Sequence, residues 1–144
     1  TMSINAVLKI AGSGLNSQLI RMNAISSNLA NASVVAGSAE EAYKAKRAVF
    51  STQVLNPDQR NDIKNQTRNG VYVTDIVDDT RPIKQIFEPG NSLANQDGYI
   101  FGSNVNEIEE MVEMLDASRA YQNNVSVVST AKDLLYRTLD LMKS

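Results

Sequence analysis

The sequence contains no cysteine, no histidine and no tryptophan, and it has only 3 phenylalanines and 5 tyrosines. Without cysteine and histidine there are no disulfide bonds, thiolate nucleophiles, histidine general bases or zinc sites that need those ligands. Large aromatic side chains usually fill the core or pocket of an enzyme, so a core built from this chain is mainly aliphatic. We therefore expect no catalytic site of these kinds, no cofactor and no bound metal.

Excess charge and long apolar runs are also missing. The 144 residues include 14 Lys+Arg and 16 Asp+Glu, a formal net charge of -2. This balance predicts neither a nucleic-acid partner nor direct lipid binding. No run approaches about 18 apolar residues and no cleavable signal peptide is visible, so we expect no transmembrane helix and no signal-peptide secretion. Thr1 ahead of Met2 is interpreted as an added residue, with Met2 as the natural start.

A heptad-like apolar stripe marks the N-terminal segment, residues 2–34. Its spacing alternates between four and three residues, which predicts a helix of roughly 28 residues with coiled-coil or bundle packing. The stripe consists of Ile4, Leu8, Ala11, Leu15, Gln18, Met22, Ile25 and Leu29. Gly12 and Gly14 lie within it, and each glycine costs about 1 kcal/mol relative to alanine inside a helix. The isolated helix is expected to fray, so it needs a packing partner.

A second stripe in the same rhythm occupies residues 105–144. It consists of Met111, Met114, Ser118, Tyr121, Val125, Val128, Lys132, Leu135, Leu139 and Met142. A neighbouring row widens the apolar face and consists of Ile108, Val112, Leu115, Val127, Ala131, Leu134 and Leu141. Two rows predict contact with more than one partner helix. Asn106 followed by Glu109 predicts the N-cap of this helix.

Between the two helices, residues 35–104 predict a small β-rich insert. Four runs rich in β-branched and aromatic residues predict strands at residues 49–55, 71–77, 83–87 and 99–101. The polar stretch 56–70 predicts a mobile loop or hairpin tip. The predicted class is α+β, with long N- and C-terminal helices that form a coiled-coil-like pair around the insert.

Two motifs invite a chemical interpretation, but each has a plainer one. Gly12-Ser13-Gly14 lacks the preceding strand and the following Lys-Ser/Thr of a phosphate-binding loop. We interpret its small residues as allowing another backbone to approach closely, or as keeping the helix weak until it docks. Lys44, Lys46 and Arg47 form a short basic cluster without interleaved aromatic residues. Such a cluster is typical of a solvated strand face.

Paired carboxylates occur at Asp78-Asp79 and between Glu107 and Glu113. Acid–base catalysis needs two carboxyl groups held at a defined separation across a cleft, with different pKa values. The sequence gives no indication of such a cleft, and the alternating ligands of an EF-hand are absent. We interpret both groups as solvated surface.

The two stripes allow two kinds of packing. An intramolecular antiparallel hairpin would bury one row of each helix, whereas packing between molecules would bury more. The polar interruptions and the second apolar row present more surface than one partner helix covers, which favours packing between molecules. The predicted assembly interface consists of Leu8, Leu15, Met22, Leu29, Met111, Met114, Tyr121, Val125, Val128, Leu135, Leu139 and Met142.

Several segments resemble the family of bacterial flagellar rod and hook axial proteins. The run Asn28-Leu29-Ala30-Asn31 at the end of the first helix resembles the N-terminal signature of that family. The segment Glu88-Pro89-Gly90-Asn91, with Tyr121-Gln122 further on, is similar to the C-terminal half of its short, proximal-rod members. The similarity extends from about Ile4 to Leu141.

This resemblance implies a structural protein rather than an enzyme. It implies that the terminal helices pair and pack with neighbouring subunits into the inner tube of the rod, with the insert on the outside. It also implies export from the cytoplasm by the flagellar type III apparatus, a place in the periplasm-spanning rod of the basal body, and transmission of motor torque. The implied partners are further copies of the chain, other rod subunits, and the base of the motor with its export apparatus.

Two other classes of function stay open from the sequence. A helical coiled-coil adaptor or secreted interaction protein would fold its helix pair as a monomer. An enzyme acting on the cell wall would need two convergent carboxylates, and the sequence offers no convincing pair. For a rod subunit we expect termini that are mobile in the monomer and become ordered when neighbours bury the stripes.

Overall fold

The computed structural model describes residues 3–53 and 70–143. Two long helices flank a set of short strands along these residues. The elements are α1 (Ile4–Ala30), β1 (Val35–Ala36), β2 (Lys46–Gln53), β3 (Gly70–Asp78), β4 (Gln85–Phe87), β5 (Tyr99–Gly102) and α2 (Glu107–Lys143). The predicted α+β class is confirmed. The predicted mobile loop 56–70 lies outside the described residues except for Gly70, which begins β3.

Both helices begin with a side-chain cap. The hydroxyl of Ser3 accepts a hydrogen bond from the backbone N–H of Ala6 at 3.2 Å. The side-chain oxygen of Asn106 accepts from the backbone N–H groups of Ile108 at 3.1 Å and Glu109 at 3.3 Å. The predicted N-cap of α2 is therefore confirmed. The first turn of α2 is acidic and its last turn basic, which favours the helix dipole, whereas α1 has neither feature.

The strands form two separate sheets. The first has the order β1-β5-β4, with antiparallel pairing that places Val35 opposite Gly102 and Ile86 opposite Ile100. Ile100 is buried and anchors this sheet in the core. The second sheet pairs β2 with β3. The two-residue strand β1 was not predicted, because so short a segment carries no periodicity that a sequence pattern can reveal.

Residue contacts divide the chain into two compact units. In the described residues, the first unit comprises residues 3–20, 49–53, 70–75 and 117–143. Its buried side chains are small, and they are Ala11, Ser17, Ala117 and Ala131. Small side chains allow elements to pack with little space between their backbones.

Two serines of α1 bind one residue of β3 within this unit. The Ser17 hydroxyl donates to the backbone carbonyl of Val71 at 2.8 Å, and the Ser13 hydroxyl accepts from the backbone N–H of Val71 at 3.1 Å. Gly70 has a φ of 149°, and a Cβ at this position would collide with the Ser13 hydroxyl. The expected close approach of another backbone at the Gly12-Ser13-Gly14 motif is confirmed at Ser13.

The second unit comprises residues 21–48 and 76–116. Its apolar core joins Ala32, Ala45 and Val105, with Tyr43 packed against them. Buried Asn104 links three backbone segments around this core, because its side-chain oxygen accepts from the N–H of Ala45 at 2.7 Å and its amide donates to the carbonyls of Asp79 and Arg81. These bonds hold the start of α2 against the insert.

Candidate assembly interface and polar junction

The predicted stripe of α1 lies on the packed side of the helix. Its four predicted interface residues, Leu8, Leu15, Met22 and Leu29, are half-buried, and Ala11 and Ile25 between them are buried. A second row also contributes to the packed side and includes Ser17, Ala24 and Asn28. α1 therefore buries two adjacent rows, and most of its exposed positions are polar or small.

The predicted stripe of α2 divides into two groups. Four of its residues are half-buried within this chain, and these are Met114, Tyr121, Val128 and Leu135. The other four predicted interface residues are exposed, and these are Met111, Val125, Leu139 and Met142. The first group therefore packs within the chain, and the second group is accessible to a partner.

At every second position of the predicted stripe of α2, the residue just before the predicted one lies on the packed side instead. Glu110, Ala117 and Ala131 are buried and Asn124 is half-buried, in place of Met111, Ser118, Val125 and Lys132. The sequence pattern assigns large apolar residues to the packed side of α2. In the structure, small and polar side chains occupy that side at the places where the backbones lie close together. Asn124 is an example, because its amide lies 3.0 Å from the place of a Cβ on Gly14.

Asn28 of the family motif is the centre of a buried polar junction in the second unit. Its side-chain amide donates to the carboxylate of Glu110 at 3.1 Å and to the backbone carbonyl of Lys46 at 3.0 Å. Its side-chain oxygen accepts from the Tyr43 hydroxyl at 2.9 Å and from the backbone N–H of Lys46 at 2.7 Å. Two donor and two acceptor positions are all satisfied, as a buried amide requires. This residue thereby joins the end of α1, the start of β2 and the start of α2.

Glu110 is the buried carboxylate of this junction, with 0% of its surface exposed. One of its oxygens accepts from Asn28, and the other pairs with the guanidinium of Arg47 at 2.5 Å. The interpretation of the Glu107–Glu113 group as solvated surface is thus wrong for Glu110. Arg47 of the basic cluster is half-buried, with 31% of its side chain exposed, and it pairs with both Glu110 and Asp79.

Asp79 and Arg81 extend the junction to the surface. The Asp79 side chain is only 14% exposed, so it too departs from the expected solvated surface. The backbone N–H of Arg81 donates to it at 2.9 Å, and its other oxygen accepts from the Arg81 guanidinium at 2.9 Å. These bonds, with the nearby charge of Arg47, hold the pKa of the Asp79 carboxyl below its usual value. The pKa of Arg81 is raised by its bonds to Glu109 and Asp79.

The Glu88-Pro89-Gly90-Asn91 segment forms an exposed turn next to the three-stranded sheet. The backbone N–H of Asn91 donates to the Glu88 carbonyl at 3.0 Å, and the Asn91 side chain donates to the Glu88 carboxylate at 3.0 Å. Beside the turn, the rings of Phe87 and Tyr99 meet edge to face with centroids 5.2 Å apart. This motif is thus a local structural element of the insert.

The remaining motif residues are divided between packed and accessible positions. Ala30 and Gln122 are exposed, whereas Leu29, Asn31 and Tyr121 are half-buried. The Asn31 amide donates to the Ser27 carbonyl at 2.8 Å and so satisfies a carbonyl group at the end of α1. The structure brings Asn28 to the buried junction and leaves the other motif residues outside it.

An open cleft of about 430 Å³ lies at the outer side of the junction. It is lined by Arg47, Arg81, Ile108, Glu109, Val112 and Glu113. Its charged groups are held in ion pairs within the chain, since Arg81 binds Glu109 and Arg21 binds Glu113. In the described part of the chain, no cluster of His, Cys, Asp or Glu has the arrangement of a metal site. No described helix is long and apolar enough to cross a bilayer.

The sequence pattern misses the junction residues Tyr43, Arg47, Asn104 and Glu110. Each is polar, and its partner lies far away in the chain, so no local spacing connects them. One signal was available, because Glu110, Ala117, Asn124 and Ala131 recur every seven residues. A heptad row of small and polar residues beside an apolar stripe indicates a closely packed helix face.

Two family models match the chain at its two ends. Residues 8–37 match the model described as flagella basal body rod protein, which includes the Asn28 motif. Residues 96–141 match the model described as flagellar basal body rod FlgEFG protein C-terminal. The matched segments contain most of α1 and α2, together with the residues from both helices that meet at the junction.

Curated relatives extend this similarity over nearly the whole chain. The flagellar basal-body rod protein FlgC of Yersinia enterocolitica is 41% identical over 140 residues, covering 97% of this chain and 98% of the relative. FlgC of Buchnera aphidicola from Schizaphis graminum is 40% identical with the same coverage, and FlgC of Borreliella burgdorferi is 31% identical over 99% of both chains. The chain therefore belongs to the FlgC family of flagellar basal-body rod proteins.

Proposed function

We propose that this chain is a structural subunit of the proximal part of the flagellar rod, assembled through its two terminal helices. The observation that carries the proposal is its similarity to FlgC rod proteins along nearly the whole length of both chains. The proposed partners are further copies of the chain, other rod subunits, and the base of the motor with its export apparatus. No catalytic role is part of this proposal.

The exposure of α2 supports assembly through this helix. Large apolar side chains remain exposed along the helix, and they include four of the predicted interface residues: Met111, Val125, Leu139 and Met142. Exposed apolar area of this extent is typical of a surface that another protein covers. Its burial supplies a hydrophobic driving force of roughly 25 cal/mol for each Å² removed from water.

The polar junction supports a role in carrying mechanical load. Asn28 connects α1, α2 and β2 by hydrogen bonds, and the buried Glu110 carboxylate is held by Asn28 at one oxygen and by the Arg47 ion pair at the other. A buried polar network of this kind favours one conformation. A subunit that transmits torque needs helices that do not shift relative to the insert. We propose that the second unit provides this rigid part, and that export through the flagellar type III apparatus precedes assembly.

Deletion of the gene in its host tests the proposal. We expect non-motile cells whose purified basal bodies lack a complete rod by electron microscopy, with rescue by the intact gene. A gene that lacks residues 4–31 should fail to rescue, because it lacks α1 and the Asn28 junction. Motile deletion cells with complete rods would overturn the proposal and would favour the coiled-coil adaptor, whose purified monomer should be highly helical at low concentration.

A further inference from the structure

Each of the two long helices contributes residues to both compact units. The inner ends, which are residues 21–30 of α1 and 107–116 of α2, belong to the second unit. The outer parts, which are residues 4–20 of α1 and 117–143 of α2, belong to the first unit. Different kinds of contact hold the inner ends and the outer parts in place.

The inner ends are held by specific polar contacts. The Asn28 amide donates to the Glu110 carboxylate at 3.1 Å, and the Arg21 guanidinium forms an ion pair with the Glu113 carboxylate. Ile25, Asn28 and Glu110 are buried. A hydrogen bond between buried groups has a defined geometry, and it is lost when either partner moves away. The inner ends of the two helices therefore hold each other in place.

Side chains also cap the two inner ends. The Asn31 amide donates to the backbone carbonyl of Ser27 at 2.8 Å, in the last turn of α1. The Asn106 side chain accepts from the backbone N–H groups of Ile108 and Glu109, in the first turn of α2. Such caps satisfy backbone groups that have no partner within the helix, and they reduce fraying. An inner end can therefore stay helical when the rest of its helix opens.

The outer parts are packed more weakly. Their buried side chains are small, and these are Ala11, Ser17, Ala117 and Ala131. A small side chain removes little apolar area from water, and hydrophobic stabilisation is roughly proportional to that area. Large side chains such as Leu134 and Leu141 have 53% and 77% of their surfaces exposed. Gly12 and Gly14 further weaken the outer part of α1, because only proline has a lower helix propensity than glycine.

We propose that the outer parts of both helices open and reform in the free chain while the second unit stays folded, so that the inner ends act as nuclei for the two helices. Forming the first turn of an isolated helix is unfavourable by a factor of about 10⁻³, whereas each residue added to an existing helix costs little. A nucleus held by the Asn28–Glu110 bond removes the need for that first step. α1 then extends from its inner end towards Ile4, and α2 extends towards Lys143.

Separate opening of the outer parts gives a neighbouring subunit a defined surface to complete. Because both helices start from the same junction, their outer parts grow from fixed positions in a fixed direction. Docking of a neighbour then favours the closed state of the outer parts without any refolding of the second unit. That docking step rests on the proposed function, whereas the order of opening is a property of the free chain, so the two can fail separately.

Hydrogen–deuterium exchange of the purified full chain tests the proposal. The chain is kept monomeric at low concentration, as checked by light scattering, and exchange is measured by mass spectrometry of its peptides. We expect exchange in the inner ends to be slower than in the outer parts by at least about 100-fold. Equal protection along both helices, or lower protection at the inner ends, would overturn the proposal. Either result would leave the rod function intact, because gene deletion tests that function independently.

Asn28→Ala tests the role of the junction as a shared nucleus. We expect exchange at the inner ends of both helices to become faster together, by about 30-fold or more, although the two segments are far apart in the chain. Asn23→Ala is the matched control, because Asn23 is exposed in the same inner end, and it should change exchange by less than about twofold. Faster exchange in α1 alone would show that the junction does not hold α2, and it would overturn the common nucleus.

Gly12→Ala tests growth from the nucleus in a chain whose junction is intact. A Cβ at Gly12 meets no atom within 4 Å, so the change raises helix propensity without a clash. We expect exchange in residues 8–16 to slow by about two- to fivefold, with no change at the inner ends. Gly90→Ala is the matched control, because its Cβ also meets no atom within 4 Å and it lies outside the helices. No change in residues 8–16, or equal slowing at the inner ends, would overturn the proposal.

Discussion

The side-chain amide of Asn28 donates a hydrogen bond to the carboxylate of Glu110 across 3.1 Å, although 82 residues separate them in the chain. Both side chains have 0% of their surface exposed. The bond joins the last turn of α1 to the first turn of α2, and Asn28 also bonds the start of β2. Asn28 of the family motif is thus an internal structural link rather than part of a contact surface.

Replacing Asn28 with alanine should destabilise the second unit. The change leaves the fully buried Glu110 carboxylate short of a partner, which costs about 1–3 kcal/mol, and it also removes three part-buried bonds to Lys46 and Tyr43. We expect a loss of about 2–4 kcal/mol in the free energy of unfolding, measured by urea denaturation.

Asn23→Ala is the matched control, because Asn23 lies in the same helix and is exposed. It should change stability by less than about 0.5 kcal/mol. Equal losses for the two variants would mean that the Asn28 bonds contribute nothing specific.

Removing one partner of the Glu110–Arg47 pair should cost more than removing both. Arg47→Met leaves the fully buried Glu110 carboxylate without its cation, and breaking a buried pair in this way costs about 3–5 kcal/mol, whereas Glu110→Leu leaves a part-exposed Arg47 that still pairs with Asp79. The double variant Arg47→Met/Glu110→Leu removes both charges, so we expect it to recover part of that loss. Urea denaturation of the two single variants and the double variant gives the coupling energy. Strictly additive losses would contradict a direct interaction.

Periodicity predicts the helices well because each is long and its pattern depends only on local spacing. The predicted cap at Asn106 and the strands near β2 to β5 follow from the same local rules. Strand bounds differ by a few residues; β2, for example, begins at Lys46 rather than at residue 49. The start of β2 depends on the bond between the Lys46 N–H and the Asn28 side chain, and a local sequence pattern does not contain such a distant contact.

The buried face of α2 and the junction illustrate what local pattern does not contain. Met111 is more apolar than Glu110, so a pattern of hydropathy places Met111 inside and Glu110 outside. The structure reverses the two, because Asn28 and Arg47 approach from distant parts of the chain, and they give the carboxylate a hydrogen bond and an ion pair. A buried charge becomes favourable only when those partners are known.

The two glycines of α1 should respond differently to alanine. A Cβ at Gly12 meets no atom within 4 Å, whereas a Cβ at Gly14 lies 3.0 Å from the side-chain amide of Asn124. Gly12→Ala should therefore stabilise the chain by up to about 1 kcal/mol through helix propensity. Gly14→Ala should gain less or destabilise, since the Asn124 amide is anchored by its bond to the Ala120 carbonyl.

Urea denaturation of both glycine variants measures the difference. Gly14→Ala/Asn124→Ala serves as the relief variant, because it removes the amide that the new methyl group would meet. It should recover the gain seen for Gly12→Ala. An equal gain from Gly12→Ala and Gly14→Ala would show that the contact with Asn124 imposes no constraint.

Asp79 should contribute to the acid sensitivity of the second unit. Its bonds from the Arg81 backbone N–H and guanidinium hold the folded-state pKa of its carboxyl below the unfolded value of about 3.9. At pH values near and below the unfolded pKa, the unfolded chain binds more protons at this carboxyl than the folded chain does. The stabilisation from Asp79 is therefore fully present above the unfolded pKa, and it is lost as the pH falls through the lower folded-state pKa. Asp79→Asn should therefore flatten the dependence of unfolding free energy on pH in this acid range.

Arg81→Ala separates the two sources of this effect. It removes the guanidinium but keeps the backbone N–H, whose bond to Asp79 is the larger cause of the lowered pKa. The acid dependence should therefore weaken less for Arg81→Ala than for Asp79→Asn, as measured by urea denaturation at a series of pH values. If Arg81→Ala abolished the dependence completely, the side-chain ion pair would be the dominant cause. If Asp79→Asn left the dependence unchanged, another carboxylate would be responsible for it.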